Sequence, residues 1–361
     1  IGSAVASNWV GFLIYRLIGG LGVGASSVIG PMYISEIAPA KIRGRLVASF
    51  QVNIVVGQVL SYISNYLIAQ NIEVDPWRFM LGAEVIPAIL FLSLLFFIPD
   101  SPRWLVMKDK AVKAKGLLQR LGSPDAESEL KDIVESIASF SKLAKNHLFT
   151  KKNKVPIVLA ILVAVFNQMS GINIVMYYAP RIFGMVGAGN ETALLQSVPI
   201  GVALLISCIT GMLIIDKVGR KKLLMIGAAS MFVFLSLVSF SMYNAEEGSF
   251  LVLIWLLGFI LSFGFTAGTV IWVYISEVFP TNVRAKGNTL GSMTHWIIAA
   301  TITWLFPVIA PIKHGGAIAF GVFAVSMIFM FFIVWKVFPE TKGKSLEEIQ
   351  REFIANNNKK T

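Results

Sequence analysis

A seven-residue segment occurs twice in this chain, first as Tyr33-Ile34-Ser35-Glu36-Ile37-Ala38-Pro39 and again as Tyr274-Ile275-Ser276-Glu277-Val278-Phe279-Pro280. An arginine follows each copy at the same distance, Arg43 in the first and Arg284 in the second. Another pair of similar segments keeps the same order and nearly the same displacement, Ile98-Pro99-Asp100 and Phe338-Pro339-Glu340. Self-similarity at a fixed displacement is the sequence signature of a repeated architecture. The chain therefore contains a duplication.

The composition excludes a soluble globular protein, because 56% of the 361 residues are hydrophobic, 14% are charged and the mean hydropathy is +0.73. A helix needs about 20 apolar residues to cross the core of a bilayer. Runs of this kind occupy residues 9–35, 46–70, 79–98, 155–180, 193–215, 223–243, 250–276, 288–310 and 316–338. The runs are long and lack the alternation of a membrane barrel strand. The sequence thus predicts an all-α polytopic membrane protein with a span in each run.

The positions of the repeats predict how the spans are grouped. The copies lie six helices apart and end on the same side, which is typical of transporters built from two parallel halves about an axis along the membrane normal. We therefore expect a fold of two six-helix halves, present here as helices four to twelve, with about three earlier spans absent apart from a stub at 1–8. The expected division is 1–99 for the first half, 100–154 for a cytoplasmic helical linker, 155–338 for the second half and 339–361 for the tail. The linker is interpreted either as a solvated connection or as a latch between the halves.

Basic residues indicate the orientation. The formal net charge is +11, and most Lys and Arg residues fall in alternate loops, near 41–45, 103–154, 217–222, 284–286 and from 336 onward. Because basic loops stay on the cytoplasmic side, we expect a multi-pass protein of the plasma or inner membrane with a cytoplasmic C-terminus. This distribution also argues against a nucleic-acid partner. The single cysteine, Cys208, excludes a disulfide framework and a cysteine-rich metal site.

Several motifs together carry a family resemblance that covers the whole chain. They are Tyr15-Arg16 with Gly19-Gly20, Gly22 and Gly24; Pro31-Met32-Tyr33-Ile34-Ser35-Glu36; Arg43-Gly44; Pro99-Asp100-Ser101-Pro102-Arg103-Trp104-Leu105; Gln168 with Ser170-Gly171-Ile172-Asn173 and Tyr177-Tyr178; Asp216 with Gly219-Arg220-Lys221; and Pro339-Glu340-Thr341-Lys342-Gly343. With these motifs the chain resembles the sugar porter family of the major facilitator superfamily and is similar to bacterial D-xylose–proton symporters. The resemblance implies transport without covalent chemistry, no cofactor other than protons as coupling ion, a small neutral sugar or polyol as partner, and a monomer in the lipid bilayer.

Amide side chains inside the apolar runs predict the chemistry of a binding site. Gln51 and Gln58 lie seven residues apart on one face of the second helix, and the fourth run contains Asn167, Gln168 and Asn173 beside Gly171, which can loosen the helix. Each amide both donates and accepts hydrogen bonds, as binding of a polyol requires. A neutral substrate is therefore expected. A single amide within a span would instead be interpreted as a group that makes a hydrogen bond between helices.

The resemblance implies which of these residues bind sugar. Sugar-binding positions of the family are matched by Gln51, Asn167, Gln168, Asn173 and His295, with Tyr177 and Trp296 as walls beside them. The chain departs from the family pattern at Asn167 and His295, at Ala267, where xylose symporters carry a Trp, and at Leu204, where an Asn is usual. Despite these departures, the remaining polar residues still form a hydrogen-bonding site, and xylose, glucose and inositol remain alternative substrates. His295 is interpreted either as a hydrogen-bonding group or as a proton relay.

Two charged residues lie well within apolar runs, Arg16 and Glu84. Charges at membrane depth are costly and mark functional sites by default. In symporters of the family an aspartate of the first transmembrane helix carries the proton, and that helix is not in this chain. We therefore predict a proton-coupling role for Arg16 and Glu84, with a static salt bridge as the alternative. A facilitative uniporter, a sugar sensor and an inactive fragment remain alternatives for the chain.

Charged residues repeat at the ends of the two halves that are expected to face the cytoplasm. This set is interpreted as a gate of charge pairs between helices, and it consists of Glu36, Arg43, Asp216, Arg220, Glu277, Arg284 and Glu340. As an alternative, the basic residues only set the orientation in the membrane and pair with nearby helix-capping groups. This alternative does not explain why acidic residues recur beside them. Alternating access by rocking of the halves around a midplane site would use such a gate.

Overall fold

The computed structural model describes residues 1–37, 43–123, 125–143, 147–150, 153–186, 190–244, 250–279 and 283–342. The chain divides into two compact units, Ile1–Lys145 and Asn146–Thr361. Their boundary falls inside the stretch 100–154 that the sequence marks as a linker. The described residues form helices and turns without a strand, as expected for an all-α membrane protein.

The described residues of the first unit form eight helices, which are α1 (Gly2–Val5), α2 (Trp9–Ile37), α3 (Arg43–Asn71), α4 (Pro76–Ala83), α5 (Val85–Leu95), α6 (Pro102–Met107), α7 (Ala111–Arg120) and α8 (Ala126–Leu143). Helices α2 and α3, and α4 with α5, are long and apolar enough to cross a membrane. The last three helices pack around apolar side chains of their own, among them Leu105, Ala114 and Leu118. The described part of the stretch 102–143 is thus helical and has a small apolar core.

Within the described part of the second unit there are also eight helices, which are α9 (Lys154–Met169), α10 (Ile172–Gly184), α11 (Asn190–Val218), α12 (Arg220–Tyr243), α13 (Phe250–Gly264), α14 (Ala267–Val278), α15 (Arg284–Ile309) and α16 (Gly315–Val337). They provide six candidate spans, which with the three of the first unit make nine within the described part of the chain. Each lies on one of the apolar runs predicted from the sequence. The span Lys154–Gly184 is the most deeply packed, with 61% of its apolar window buried.

Two of these spans are broken in the middle. Helices α9 and α10 meet at Gly171, whose φ of +80° lies in the left-handed region that favours glycine. Ser170 Oγ bonds the backbone on both sides, donating to Asn167 O at 2.6 Å and accepting from Ile172 N at 3.3 Å. Helices α13 and α14 meet at Thr266, whose φ and ψ of −119° and −96° are not helical. The predicted loosening at Gly171 is therefore confirmed.

The duplication also appears in the contacts of the two repeated segments. Tyr33 OH donates to Pro99 O at 2.6 Å, and Tyr274 OH donates to Pro339 O at 3.3 Å. The two tyrosines occupy the same position of the repeated segment, and the two prolines occupy the same position of its companion. Each unit therefore ties the end of one span to the end of another in the same way.

We expect Gly171→Ala to lower thermal stability strongly. Alanine at this backbone conformation costs roughly 1–3 kcal/mol, and its methyl group would overlap the ring of Phe323, which adds about 1–3 kcal/mol of overpacking. The check is the midpoint of thermal inactivation of the purified protein in detergent. Gly184→Ala in α10, where a methyl group meets nothing within 4 Å, is the matched control. Equal midpoints for the two variants would contradict this account of the break.

Candidate functional site

A set of polar side chains lies together in the second unit, and we call Asn167, Gln168, Asn173 and His295 the amide cluster. The helix break brings its first three members together, because Asn167 and Gln168 end α9 and Asn173 begins α10. His295 comes from α15, which packs along α9. Asn167, Gln168 and His295 are only 3%, 2% and 8% exposed. The structure thus assembles in one place four residues that the sequence predicted for one site.

Gln168 is the centre of the amide cluster. Its Oε1 accepts a hydrogen bond from Asn173 Nδ2 at 2.9 Å, and its Nε2 lies 2.9 and 3.1 Å from the two ring nitrogens of His295. Nε2 also lies 3.4 Å from Asn167 Oδ1. The amide nitrogen is a donor and lies within hydrogen-bond distance of both ring nitrogens, so whichever of the two is unprotonated can accept from it. The bond from Asn173 therefore orients the Gln168 amide toward His295.

Aromatic rings border the cluster. The ring of His295 lies 5.0 Å from the ring of Trp272 and 5.3 Å from that of Trp296, measured between centroids. Both tryptophans are partly exposed, and Tyr177 on α10 is 54% exposed. Trp296 and Tyr177 were predicted as walls, whereas sequence reasoning missed Trp272. The signal for it was available, since Trp272 is a tryptophan within a span and lies two residues before the repeated Tyr274.

The two apolar departures from the family pattern are packing positions. Ala267 is 1% exposed, and its carbonyl oxygen accepts a hydrogen bond from Asn167 Nδ2 at 3.3 Å. Leu204 is 6% exposed on α11. A small side chain at the start of α14 thus lets Asn167 bond the backbone beside the second helix break.

The predicted site residues of the first unit lie on α2, on α3 and between α4 and α5. Gln51 and Gln58 lie on α3, and a common site with the amide cluster stays a prediction for both. Arg16 on α2 and Glu84 between α4 and α5 form an ion pair, with Arg16 Nη1 4.0 Å from Glu84 Oε1 and the side chains 51% and 69% exposed. The two charges are therefore paired in the structure.

A second polar site lies where α11 meets α12, and we call Arg220, Glu277, Glu340 and Thr341 the carboxylate cluster. Arg220 Nη2 donates to Glu277 Oε1 at 2.9 Å and Thr341 Oγ1 donates to Glu277 Oε2 at 2.6 Å, so these two described partners of Glu277 come from two other motifs of the sequence. Arg284 Nε contacts the carbonyl oxygen of Phe279 at 3.4 Å. Of the remaining predicted gate residues, Glu36 is half-buried on α2. The side chains of Arg43 and Asp216 lie outside the described residues.

The donor set of the amide cluster fits a neutral, hydroxyl-bearing molecule. Its members are three amides and one imidazole, which together offer donors and acceptors without a permanent charge. Among the described His, Cys, Asp and Glu residues, no group of three is arranged to hold a metal ion. The cluster can therefore bind polyols by exchanging hydrogen bonds.

Comparison with known proteins agrees with this chemistry. A family model described as "Sugar (and other) transporter" matches residues 1–353. The D-xylose-proton symporter of Escherichia coli K12 is 36% identical over 351 residues, which are 94% of this chain and 71% of that protein. The arabinose-proton symporter of Bacillus subtilis is 35% identical over 358 residues, 98% of this chain and 77% of that protein.

The same family appears among solved structures. The inward-open xylose transporter XylE from E. coli is similar with a TM-score of 0.83 and 33% identity, covering 98% of this chain and 79% of that one. Another structure of this transporter is described as a major facilitator superfamily proton:xylose symporter, which is the superfamily that the motifs of the chain resemble. With a family model over nearly its whole length and relatives above 30% identity, this chain belongs to the sugar transporter family of the major facilitator superfamily.

Proposed function

We propose that this protein carries a neutral monosaccharide or polyol across the plasma or inner membrane by alternating access, in symport with protons, and that the amide cluster is part of its sugar site. The observation that carries the proposal is the burial of Gln168 with both ends of its amide engaged by other uncharged polar side chains. Membership of a family of transporters supports movement of a solute rather than covalent chemistry.

Sugar hydroxyls match the bonds already present in the cluster. A hydroxyl group donates one hydrogen bond and accepts others. It can therefore take the place of His295 as the acceptor for Gln168 Nε2 or of Asn173 as the donor to Gln168 Oε1. Leaving either atom unpaired at this depth would cost about 1–3 kcal/mol, so a ligand that lacks hydroxyls at these points is rejected. The positions of the hydroxyls then decide which sugar binds.

The walls favour a sugar ring. The rings of Trp272 and Trp296 lie 5.0 and 5.3 Å from the ring of His295, and the C–H groups of a sugar ring pack on such apolar surfaces. A carboxylate or phosphate substrate would require a lysine or arginine in the cluster, whose members are all uncharged when His295 is neutral. The names of the two relatives, xylose and arabinose symporters, support a pentose or a similar monosaccharide. Gln51, Gln58 and Tyr177 are proposed to complete the site.

Proton coupling is proposed for Arg16 and Glu84. Glu84 lies in the break between α4 and α5, so a change in its protonation would act at a point where the span is already interrupted. The Glu84 carboxylate is paired with Arg16 at 4.0 Å. A movement of the helices that separates the two side chains would remove this counter-charge and favour protonation of the carboxylate. The proton-symporter names of the relatives support this assignment. A facilitative uniporter is the second candidate, because an ion pair with both side chains more than half exposed also fits a static role.

The carboxylate cluster is proposed as the second unit's part of a cytoplasmic gate. We propose that it lies on the cytoplasmic side together with the C-terminus, and the basic excess of the adjoining loops supports this orientation. Its ion pair joins α12 to α14 inside one unit. We propose that it keeps these helix ends together, so that the second unit moves as a body when the halves rock. Glu36, Arg43, Asp216 and Arg284 are assigned to the same gate.

Uptake of radiolabelled xylose, glucose and inositol into proteoliposomes tests the site directly, using the protein expressed from its complete gene. We expect uptake of at least one of these sugars, and we expect Gln168→Ala to abolish it because three hydrogen-bond partners are lost at once. Gln70→Ala is the matched control, since Gln70 is an exposed amide at the end of α3. Wild-type uptake retained by Gln168→Ala would remove the amide cluster from the site. Absence of uptake of every sugar would overturn the substrate class.

Accumulation driven by an inward proton gradient tests the coupling. We expect Glu84→Gln to lose accumulation above equilibrium while it keeps sugar counterflow, because the neutral amide cannot exchange a proton but leaves the sugar site intact. Glu73→Gln, at an exposed position before α4, is the control and should accumulate sugar like the wild type. Equilibration by the wild type regardless of the gradient would instead establish the uniporter.

A further inference from the structure

A groove runs along the surface of the second unit where α12 packs against α16. The two helices are antiparallel, because Arg220 at the start of α12 contacts Glu340 after α16, and Tyr243 at the end of α12 contacts His314 before α16. The groove has a volume of about 390 Å³. We call it the seam groove, and its walls include Phe232, Ser239, Phe240, Tyr243, Gly321 and Val325.

The seam groove is mainly apolar. Gly321 leaves space opposite Ser239, since a Cβ on this glycine would lie 3.3 Å from Ser239 Oγ. The same oxygen donates to Ala317 O at 2.7 Å, so this hydroxyl is already bonded within the protein. Phe240 and Val325 line the groove and are 68% and 50% exposed. A ligand of the groove therefore has to be apolar where it meets these side chains.

Both helices are candidate membrane spans, Arg220–Tyr243 and Gly315–Val337, so the groove opens toward lipid. Phe232 lies at the middle of α12, and Tyr243 ends it. These two residues are eleven apart, or about 16 Å along the helix. Half of a hydrocarbon core of about 30 Å is about 15 Å. The groove therefore has the depth of one leaflet, and it reaches the membrane surface at the helix ends opposite the C-terminus.

Aromatic and basic side chains lie at the mouth of the groove. The ring of Tyr243 stacks on that of His314, with centroids 4.4 Å apart. Tyrosine is enriched at the boundary between hydrocarbon and headgroups. Lys313 precedes His314 and is exposed, and within the described part of the chain it forms no ion pair. The ammonium group of this lysine is therefore available to a phosphate group at the level of the headgroups.

The dimensions of the groove favour a hydrocarbon chain over a helix of a second copy. Spread over about 16 Å, a volume of about 390 Å³ leaves a mean cross-section of about 24 Å². A helix with its side chains is about 10 Å in diameter and so needs about 80 Å². The groove is thus too narrow to seat a helix, whereas an extended chain without side groups fits along it.

We infer that the seam groove binds one acyl chain of an anionic phospholipid, whose headgroup phosphate lies at Lys313. The chain packs against the rings of Phe232 and Phe240, and the headgroup lies beside Tyr243 and His314. In the orientation given under the proposed function this lipid belongs to the outer leaflet, and that assignment rests on the proposed function. None of the groups proposed to bind sugar belongs to this site.

Photolabelling in nanodiscs tests the inference, with the protein expressed from its complete gene. The probe is a phosphatidylglycerol that carries a diazirine on one acyl chain, present at a low fraction in phosphatidylcholine. We expect labelled peptides from α12 between 232 and 243 and from α16 between 315 and 325. The same diazirine on phosphatidylcholine should label these peptides about fivefold less, because one lysine at the membrane surface favours an anionic headgroup by about this factor.

Two pairs of variants separate the groove from the lysine. Val325→Phe fills the groove and should reduce labelling by both lipids to the background seen elsewhere on α16. Val322→Phe is the matched control, since Val322 is 51% exposed on the same helix and does not line the groove. Lys313→Gln should remove the preference for phosphatidylglycerol and leave labelling by phosphatidylcholine unchanged. Arg181→Gln, which removes an exposed basic residue of α10, should keep the preference.

Several results would overturn the inference. Equal labelling of the wild type by the two lipids would show ordinary lipid contact without a bound headgroup, and a preference that Lys313→Gln keeps would have the same meaning. Labelling that Val325→Phe leaves unchanged would remove the groove. If this variant does not accumulate, the exposed Lys313→Gln decides the outcome alone. Unlabelled groove peptides together with crosslinks between two protein copies would show that a second copy covers the groove.

The labelling does not depend on transport. A protein that binds the lipid as described but transports no sugar would overturn the proposed function alone. A protein that transports sugar without a preference for the anionic lipid in the groove would overturn this inference alone.

Discussion

Polar groups within a membrane-spanning helix have to find hydrogen-bond partners inside the protein, and the second unit is organised by how this requirement is met where two of its spans are broken. A break frees backbone groups that a continuous helix would pair. At Gly171 the hydroxyl of Ser170 bonds both sides, and at Thr266 the Asn167 amide reaches the carbonyl oxygen of Ala267. The first break also turns Gln168 and Asn173 toward each other. The features that satisfy the backbone therefore also create the cluster proposed to bind sugar.

The two polar clusters of the second unit are connected by a helix, not by a chain of charges. Helix α14 carries Trp272 near its middle and Glu277 near its end. Neutral hydrogen-bonding groups lie at the first of these points and an ion pair at the second. This separation suits a transporter of an uncharged solute, because the energetically strong electrostatic contacts are kept away from the ligand and can hold helix ends together. The proposed roles of the amide cluster and the carboxylate cluster follow from this arrangement.

Local sequence signals predicted the spans and the duplication well, because apolar length and repeated motifs are properties of contiguous residues. The break at Gly171 could also be predicted, since a glycine between Ser170 and Ile172 in an amide-rich run indicates an interrupted helix. Trp272 was missed because its contact with His295 joins residues far apart in sequence, although a tryptophan within a span was visible two residues before the repeated Tyr274. The pairing of Glu277 with Arg220 was equally hidden, since contacts between residues far apart in sequence have no periodicity. For the same reason the placement of Gln51 and Gln58 beside the amide cluster stays a prediction.

The most direct test of the central claim is an experimental structure of the protein saturated with D-xylose or another sugar that it transports. The account predicts density for one sugar ring in contact with the amide cluster, with hydroxyl oxygens within about 3.2 Å of Gln168 and Asn173 and with Trp272 or Trp296 against the ring. A sugar bound elsewhere, with the bonds between Gln168, Asn173 and His295 unchanged, would show that these side chains only pack the helices together and would contradict the account.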